Sequence, residues 1–210
     1  MADDVDSPAI WVLLEGTSDV AAVRALRARR GVEPDAERCV LVDMGGATNI
    51  RRHLVAAAET EPRPRVIGLC DEKEAPYFVR ALTAYRKVVH GPEGPTPAAD
   101  VSVSTLPDFG FQICHRDLED ELMRALGVDA TLAVLADLEL DATFAAFTRQ
   151  LAWQGRPVLD QLRRFVGTTS GRKELLGGAL AAALDESATP APLAALLDSM
   201  ESLSARSRAS

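Results

Sequence analysis

Residues 9–19, Ala-Ile-Trp-Val-Leu-Leu-Glu-Gly-Thr-Ser-Asp, decide the fold. An unbroken apolar run from Ala9 to Leu14 marks a strand covered on both faces, because a half-exposed strand would alternate apolar with polar residues. The run stops at Glu15 and Gly16. Thr17 or Ser18 is then placed to cap a helix in which Val20, Val23 and Leu26 recur at helical spacing until Gly31. The same order returns twice. Cys39-Val-Leu-Val-Asp-Met44 runs into Gly45-Gly46, and a helix carrying Ile50 and Leu54 follows Thr48; Val66 to Asp71 precedes a helix near Pro76 to Val88. Three strand-then-helix units in succession predict a parallel sheet with right-handed crossovers.

Outward from that core, His90 to Asp100 is rich in proline and glycine and reads as an exposed loop. A fourth strand is expected over Phe109 to His115, with the next helix starting inside Asp117-Leu118-Glu119-Asp120-Glu121. From Asp129 the pattern is helical, broken at Gly155/Pro157, at Gly167 to Gly171 and at Pro190/Pro192, and the last seven residues read as a frayed tail. Trp11 and Trp153 are expected at sheet-to-helix interfaces. The chain therefore divides near residue 128 into an α/β domain, 1–128, and an all-helical C-terminal extension, 129–210.

Composition narrows the function. The 210 residues are 47% hydrophobic and 26% charged, enough apolar material for a buried core. Lys and Arg number 23 against 31 Asp and Glu, a net charge of −8. Such a balance argues against a broad basic surface for nucleic acid, but not against a site where metal ions supply the positive charge. No basic segment precedes an apolar one at the N-terminus, and no apolar run approaches the ~18 residues of a membrane span, so a cytoplasmic protein without a membrane partner is expected. Cys39, Cys70 and Cys114 are widely spaced, as buried free thiols would be. Gly167 to Lys173 superficially resembles a P-loop, but Arg172 stands where that motif needs glycine.

Open parallel sheets bind ligands at the carboxyl ends of their strands. There this sequence places Glu15 and Asp19 after the first strand, Gly45-Gly46 after the second, Asp71, Glu72 and Glu74 after the third, and Glu119 after the fourth. Like charges ~4 Å apart repel by about 4 kcal/mol at an effective dielectric near 20, so such a cluster calls for cations. A set of carboxylates without cysteine suits Mg²⁺ or Mn²⁺ rather than Zn²⁺. His115, at the end of the fourth strand, is close enough to support a ligand or serve as one. Residues 141–180 carry six cations, Arg149, Arg156, Arg163, Arg164, Arg172 and Lys173, against Asp141, Asp160 and Glu174, a local strip suited to phosphate.

Glu15-Gly16-Thr17-Ser18-Asp19 resembles the first motif of TOPRIM domains, and Asp71 follows an apolar strand where that family has D-x-D. Met44-Gly-Gly-Ala-Thr-Asn-Ile50, Asp117-Leu-Glu-Asp-Glu-Leu122 and Ser170-Gly-Arg-Lys173 are similar to the TOPRIM half of OLD-type (overcoming lysogenization defect) nucleases. The resemblance spans about residues 10 to 200. It implies a Rossmann-like TOPRIM domain with about four parallel strands, and a two-metal DNA endonuclease using Mg²⁺ or Mn²⁺. On this resemblance Glu15 and Asp19 serve the first metal as ligands or acid/base partners, Asp71 binds or bridges metal, Glu119 holds the second, and Lys173 lies near the scissile phosphate. Lys73 stands where D-x-D has its second Asp, leaving Glu72 or Glu74 to substitute. OLD-type proteins join this domain to an ABC-class ATPase, so a separate ATPase and a homodimer are partners the resemblance implies beside DNA.

Two other functions use the same residues. Lys73 fits a TOPRIM module with a weakened metal site, acting as a regulatory or nucleotide-binding or partner-binding subunit of an ATPase. A phospho-acceptor domain also places an acidic pocket at parallel strand ends with a lysine opposite, although Glu15 stands where such domains carry paired aspartates.

Overall fold

β1 (Ile10–Leu14) and β3 (Arg65–Asp71) form the middle of a four-stranded parallel sheet, with β2 (Cys39–Asp43) beside β1 and β4 (Phe111–Cys114) beside β3. The computed structural model describes residues 10–32, 39–90, 100–167 and 171–209. Ile10 lies opposite Cys39 on one side and Arg65 on the other, and Asp71 lies opposite Cys114, so the strand ends that bear the acidic residues finish along one edge. The α/β class with crossover helices is as expected. Part of the loop reading falls on residues 91–99, which lie outside the described residues, as does Ser170.

Successive residues of β1 feed opposite cores, which is why its sequence is apolar throughout. Ile10, Val12 and Leu14 join one core with α1 (Thr17–Arg29), α4 (Leu118–Leu126) and the C-terminal helices; Leu13 joins the other with α2 (Ile50–Glu59) and α3 (Ala75–His90). Glycine has a packing role in β3: a Cβ on Gly68 would stand 2.4 Å from the Leu13 carbonyl oxygen. Ahead of β4, residues Val103–Phe109 form a 3₁₀ segment that periodicity did not announce, closed by Gly110 at φ +84°.

The helical part comprises α5 (Val128–Asp137), α6 (Asp141–Thr148), α7 (Val158–Val166), α8 (Arg172–Ala183) and α9 (Ala191–Ala209). It packs into the first core: Leu176 and Leu180 of α8 and Leu193, Leu196 and Met200 of α9 are buried with Ile10 and Val23. The tail expected to fray is helical to Ala209. Trp153 does not face the sheet; it stacks on Phe147 at 5.3 Å within an aromatic group completed by Phe144 and Phe165. Trp11 does pack between the sheet and its α2–α3 layer. The three cysteines are buried free thiols. No helix among the described residues is long and apolar enough to cross a membrane.

One contact fixes the helical part over the acidic edge. Gly177 of α8 lies so close to the start of α1 that a Cβ would stand 2.8 Å from the Ser18 carbonyl oxygen, and one on Gly178 would meet Ala21 at 3.4 Å. The helices approach because α8 presents only glycine there to Ser18 and Ala21 of α1. Gly177→Ala gains about 1 kcal/mol of helix propensity but loses more to the overlap, which costs about 1–3 kcal/mol in cores of this kind. A lower melting temperature than wild type is the expected outcome.

Candidate metal centre

The turn after β1 gathers the first two carboxylates. The Asp71 backbone N–H donates to Glu15 Oε1 at 2.8 Å, tying the ends of β1 and β3 together. The Gly16 N–H donates to Asp19 Oδ2 at 2.9 Å, so Asp19 holds the start of α1; the cap expected from Thr17 or Ser18 is not made. Gly16 is extended and offers no capping side chain, so the acid three positions on reaches back to its free N–H. Gly45 and Gly46, at φ +67° and +116°, make the neighbouring turn, and Gly46 N–H donates to the Glu15 carbonyl at 2.7 Å. That pair is built into the strand-to-helix turn, as steric freedom requires.

The acidic run on α4 separates into three jobs. Glu119 turns toward the sheet edge, 3% exposed, with Oε2 accepting from Lys173 Nζ at 3.2 Å. Asp120 is 1% exposed and pairs with Arg124 and, through its other oxygen, with Arg163 of α7. Glu121 accepts the His115 N–H at 2.8 Å and pairs with Arg124 at 2.9 Å. Asp117 caps α4 by accepting the Asp120 N–H at 2.8 Å, and its charge also acts on Asp71 and Lys173. Asp117 joins the site without having been singled out beforehand; its signal was its N-cap position ahead of an apolar helix.

After β3, the charge of Glu74 acts on Glu15, whereas Glu72 is exposed and taken up by His115 Nδ1 at 3.0 Å and by the Arg116 N–H at 3.4 Å. Lys73 is exposed between them. His115 is thereby turned to Glu72. Glu15, Asp19, Asp71, Glu74, Glu119 and Lys173 thus share one electrostatic neighbourhood. Within the basic strip of residues 141–180, Arg163 is paired with Asp120 and Asp160 and Arg172 lies over the Phe165 ring at 4.0 Å while donating to its carbonyl, whereas Arg149, Arg156 and Arg164 are exposed.

Crowding shows in the protonation chemistry. Burial, then the charges of Glu15, Asp19, Asp117 and Glu119, push Asp71 up to about 8. Burial pushes Asp19 up to about 7 against the Gly16 hydrogen bond, and Glu119 and Glu15 add to the rise. Burial likewise raises Glu15 despite the Asp71 N–H. Lys173 is lowered by burial but raised more by Glu119 and its neighbours, so it stays charged. Glu119 Oε1 is buried without a hydrogen-bond partner. A buried bare carboxylate oxygen beside carboxyls that resist ionisation is the donor set a hard cation satisfies. Among the described residues no three His, Cys, Asp or Glu side chains stand in ligating geometry.

No protein-family model matches the chain, and no curated protein matches it. Solved structures do. The C-terminal region of the Xanthomonas campestris pv. campestris OLD protein matches over 94% of this chain and 97% of that one, with 20% identity and a TM-score of 0.65. A second structure of the same region, at 18% identity, covers 96% of each chain with a TM-score of 0.67. The C-terminal region of the Burkholderia pseudomallei OLD protein matches 93% of this chain and 98% of that one, at 14% identity and a TM-score of 0.59. The chain has the fold of the OLD C-terminal region along nearly its whole length, in agreement with the resemblance carried by the motifs.

The raised acids set a stability profile. An Asp that ionises near 3.8 when unfolded and near 8 when folded holds an extra proton in the folded state between those values, so stability falls as pH rises through that window. In EDTA the melting temperature should therefore fall between pH 5 and pH 8.5 through Asp71 and Asp19, and Asp71→Asn should flatten part of that fall. Mg²⁺ or Mn²⁺ should restore more of it at pH 8.5 than at pH 6. Thermal denaturation across pH with and without metal reads both effects.

Proposed function

We propose that this chain is a divalent-metal-dependent endonuclease that hydrolyses DNA phosphodiesters. The carrying observation is the convergence of Glu15, Asp19, Asp71, Glu74 and Glu119 on one edge with Glu119 Oε1 buried and unbonded. Glu15, Asp19 and Asp71 would hold one Mg²⁺ or Mn²⁺, and Asp71, Glu119 and Glu74 a second. Ions bound there lower the pKa of a water and neutralise charge on phosphate oxygens.

The protein's own part is positioning. Glu15 accepts from the backbone of Asp71, so one hydrogen bond sets both carboxylates and fixes the spacing of two strand ends. Asp19 is locked by the turn it caps. Lys173 is half-exposed, keeps its proton, and spends it on Glu119; a phosphate entering beside Glu119 would offer Nζ an alternative oxygen. Both Lys173 and the phosphate would then be held by α8, which Gly177 seats against α1. The motif resemblance and the shared OLD fold support the same chemistry.

One feature favours a second reading, a weakened TOPRIM module serving an ATPase: Lys73 stands exposed in the third position of D-x-D while Glu72 is engaged by His115. Plasmid cleavage separates the two. With Mg²⁺ or Mn²⁺ the wild type should nick supercoiled DNA, and Asp71→Asn and Glu119→Gln should each lose on the order of 100-fold or more, while Lys173→Ala loses less. A folded wild type that binds neither metal nor cuts DNA would establish the weakened module.

A further inference from the structure

The acidic balance of the chain conceals one basic face. Helices α2 and α3 carry Arg51, Arg52, Arg80, Arg86 and Lys87 against one carboxylate, Glu59. Some arginines elsewhere are paired with carboxylates: Arg30 with Asp198 and Glu201, Arg124 with Asp120 and Glu121, Arg163 with Asp120 and Asp160. Arg51 and Arg80 are exposed, and neither pairs with a carboxylate among the described residues. Both guanidinium groups face outward with donors that an anion can take bidentately.

These two arginines line one cleft of about 480 Å³ between the first turns of α2 and α3, together with Thr48, Tyr77, Ala81 and Ala84. Tyr77 is 39% exposed, with the Arg80 guanidinium 4.8 Å above its ring. Two guanidinium forks, a hydroxyl and a stackable ring around a space of this size match a sugar-phosphate unit. Its position follows from the topology: α2 and α3 begin at the same sheet edge that bears the carboxylates, and the Tyr77 N–H donates to the Glu74 carbonyl at 2.9 Å. The cleft therefore lies along helices that start at the edge bearing the acids.

We infer that the cleft between α2 and α3 binds the phosphate backbone of the DNA flanking the cut, with Arg51 and Arg80 as its phosphate contacts and Tyr77 packing against the sugar or base. The inference rests on the nuclease reading for its ligand and adds where the strand runs. It also resolves how an acidic protein holds a polyanion: affinity comes from a short basic track beside the metal site.

The test titrates a labelled DNA duplex into wild type and R51E/R80E, with Ca²⁺ present, at several salt concentrations. Binding by the double variant should be at least about tenfold weaker, and the slope of log affinity against log salt shallower by about 2, the signature of two lost phosphate contacts. R51K/R80K should retain most of the affinity, and melting temperatures should be unchanged because both side chains are exposed. Equal affinity and slope for R51E/R80E, or no binding by the wild type, would overturn the inference. So would a change in sedimentation of the DNA-free variant, which would make this face a contact between copies of the chain. Plasmid nicking keeps the two proposals apart: a wild type that cuts while R51E/R80E binds and cuts equally well loses only the track. A wild type that binds through these arginines yet leaves the plasmid intact with Mg²⁺ or Mn²⁺ loses only the nuclease.

Discussion

Mutual repulsion among carboxylates at one sheet edge is the constraint on which the rest of this structure depends. Parallel strands must all end on the same side, so any acids at their ends are brought together whether or not that is favourable. Here burial makes it less favourable still, and Asp19 and Asp71 answer by holding protons up to about 7 and 8. Every neighbouring feature tempers that repulsion. Backbone N–H groups of Gly16 and Asp71 point at Asp19 and Glu15, Lys173 leans onto Glu119, and the macrodipoles of helices α1 and α4 present positive ends beside the acids. What these contacts leave unbalanced, Asp19 and Asp71 meet by holding their protons.

Much of this was legible in the chain because the signals were local. Apolar runs of strand length ending in an acid and a glycine gave the sheet, and glycine and proline marked the breaks between the later helices. Glu15, Asp19, Asp71 and Glu119 stood out by recurring after successive strands. What stayed hidden required knowing which way a side chain turns. Glu119, Asp120 and Glu121 are indistinguishable as text, yet one faces the site, one is buried in a pair with Arg163, and one holds the end of β4. Glu72 and Glu74 were equivalent until the turn after β3 aimed one at His115 and the other toward Glu15. A count of charges along 141–180 likewise ignores partners: Arg163 reaches across to Asp120 of α4, and Arg172 donates to the Phe165 carbonyl. Arg51 and Arg80, far apart in sequence, share a cleft only because α2 and α3 lie side by side.

Division into an α/β part and a helical part describes the sequence better than the packing. Buried residues of α8 and α9 belong to the same core as Ile10, Val12 and Leu14, so the helices complete the sheet instead of merely following it. Asp120 makes the link polar as well as apolar, since its pairing with Arg163 joins the first turn of α4 to α7 one residue away from Glu119. A displacement of α7 would reach the acidic edge through a single peptide unit. The site is therefore not an ornament on one domain but a product of both.

The bridge from Arg30 to Asp198 and Glu201 spans 168 residues of sequence at its shorter reach. With α9 buried against a face that β1 helps to form, the core cannot close until the chain has been synthesised far beyond its first strand. Contacts of such long range make for slow folding, because loop entropy is lost before the contact repays it. On the ribosome the acidic strand ends would emerge early, and Lys173 and its helix much later. Through that interval the growing chain presents its carboxylates to solvent without the lysine and without the packing that raises their affinity for protons. The order of synthesis thus sets when the acids first feel one another.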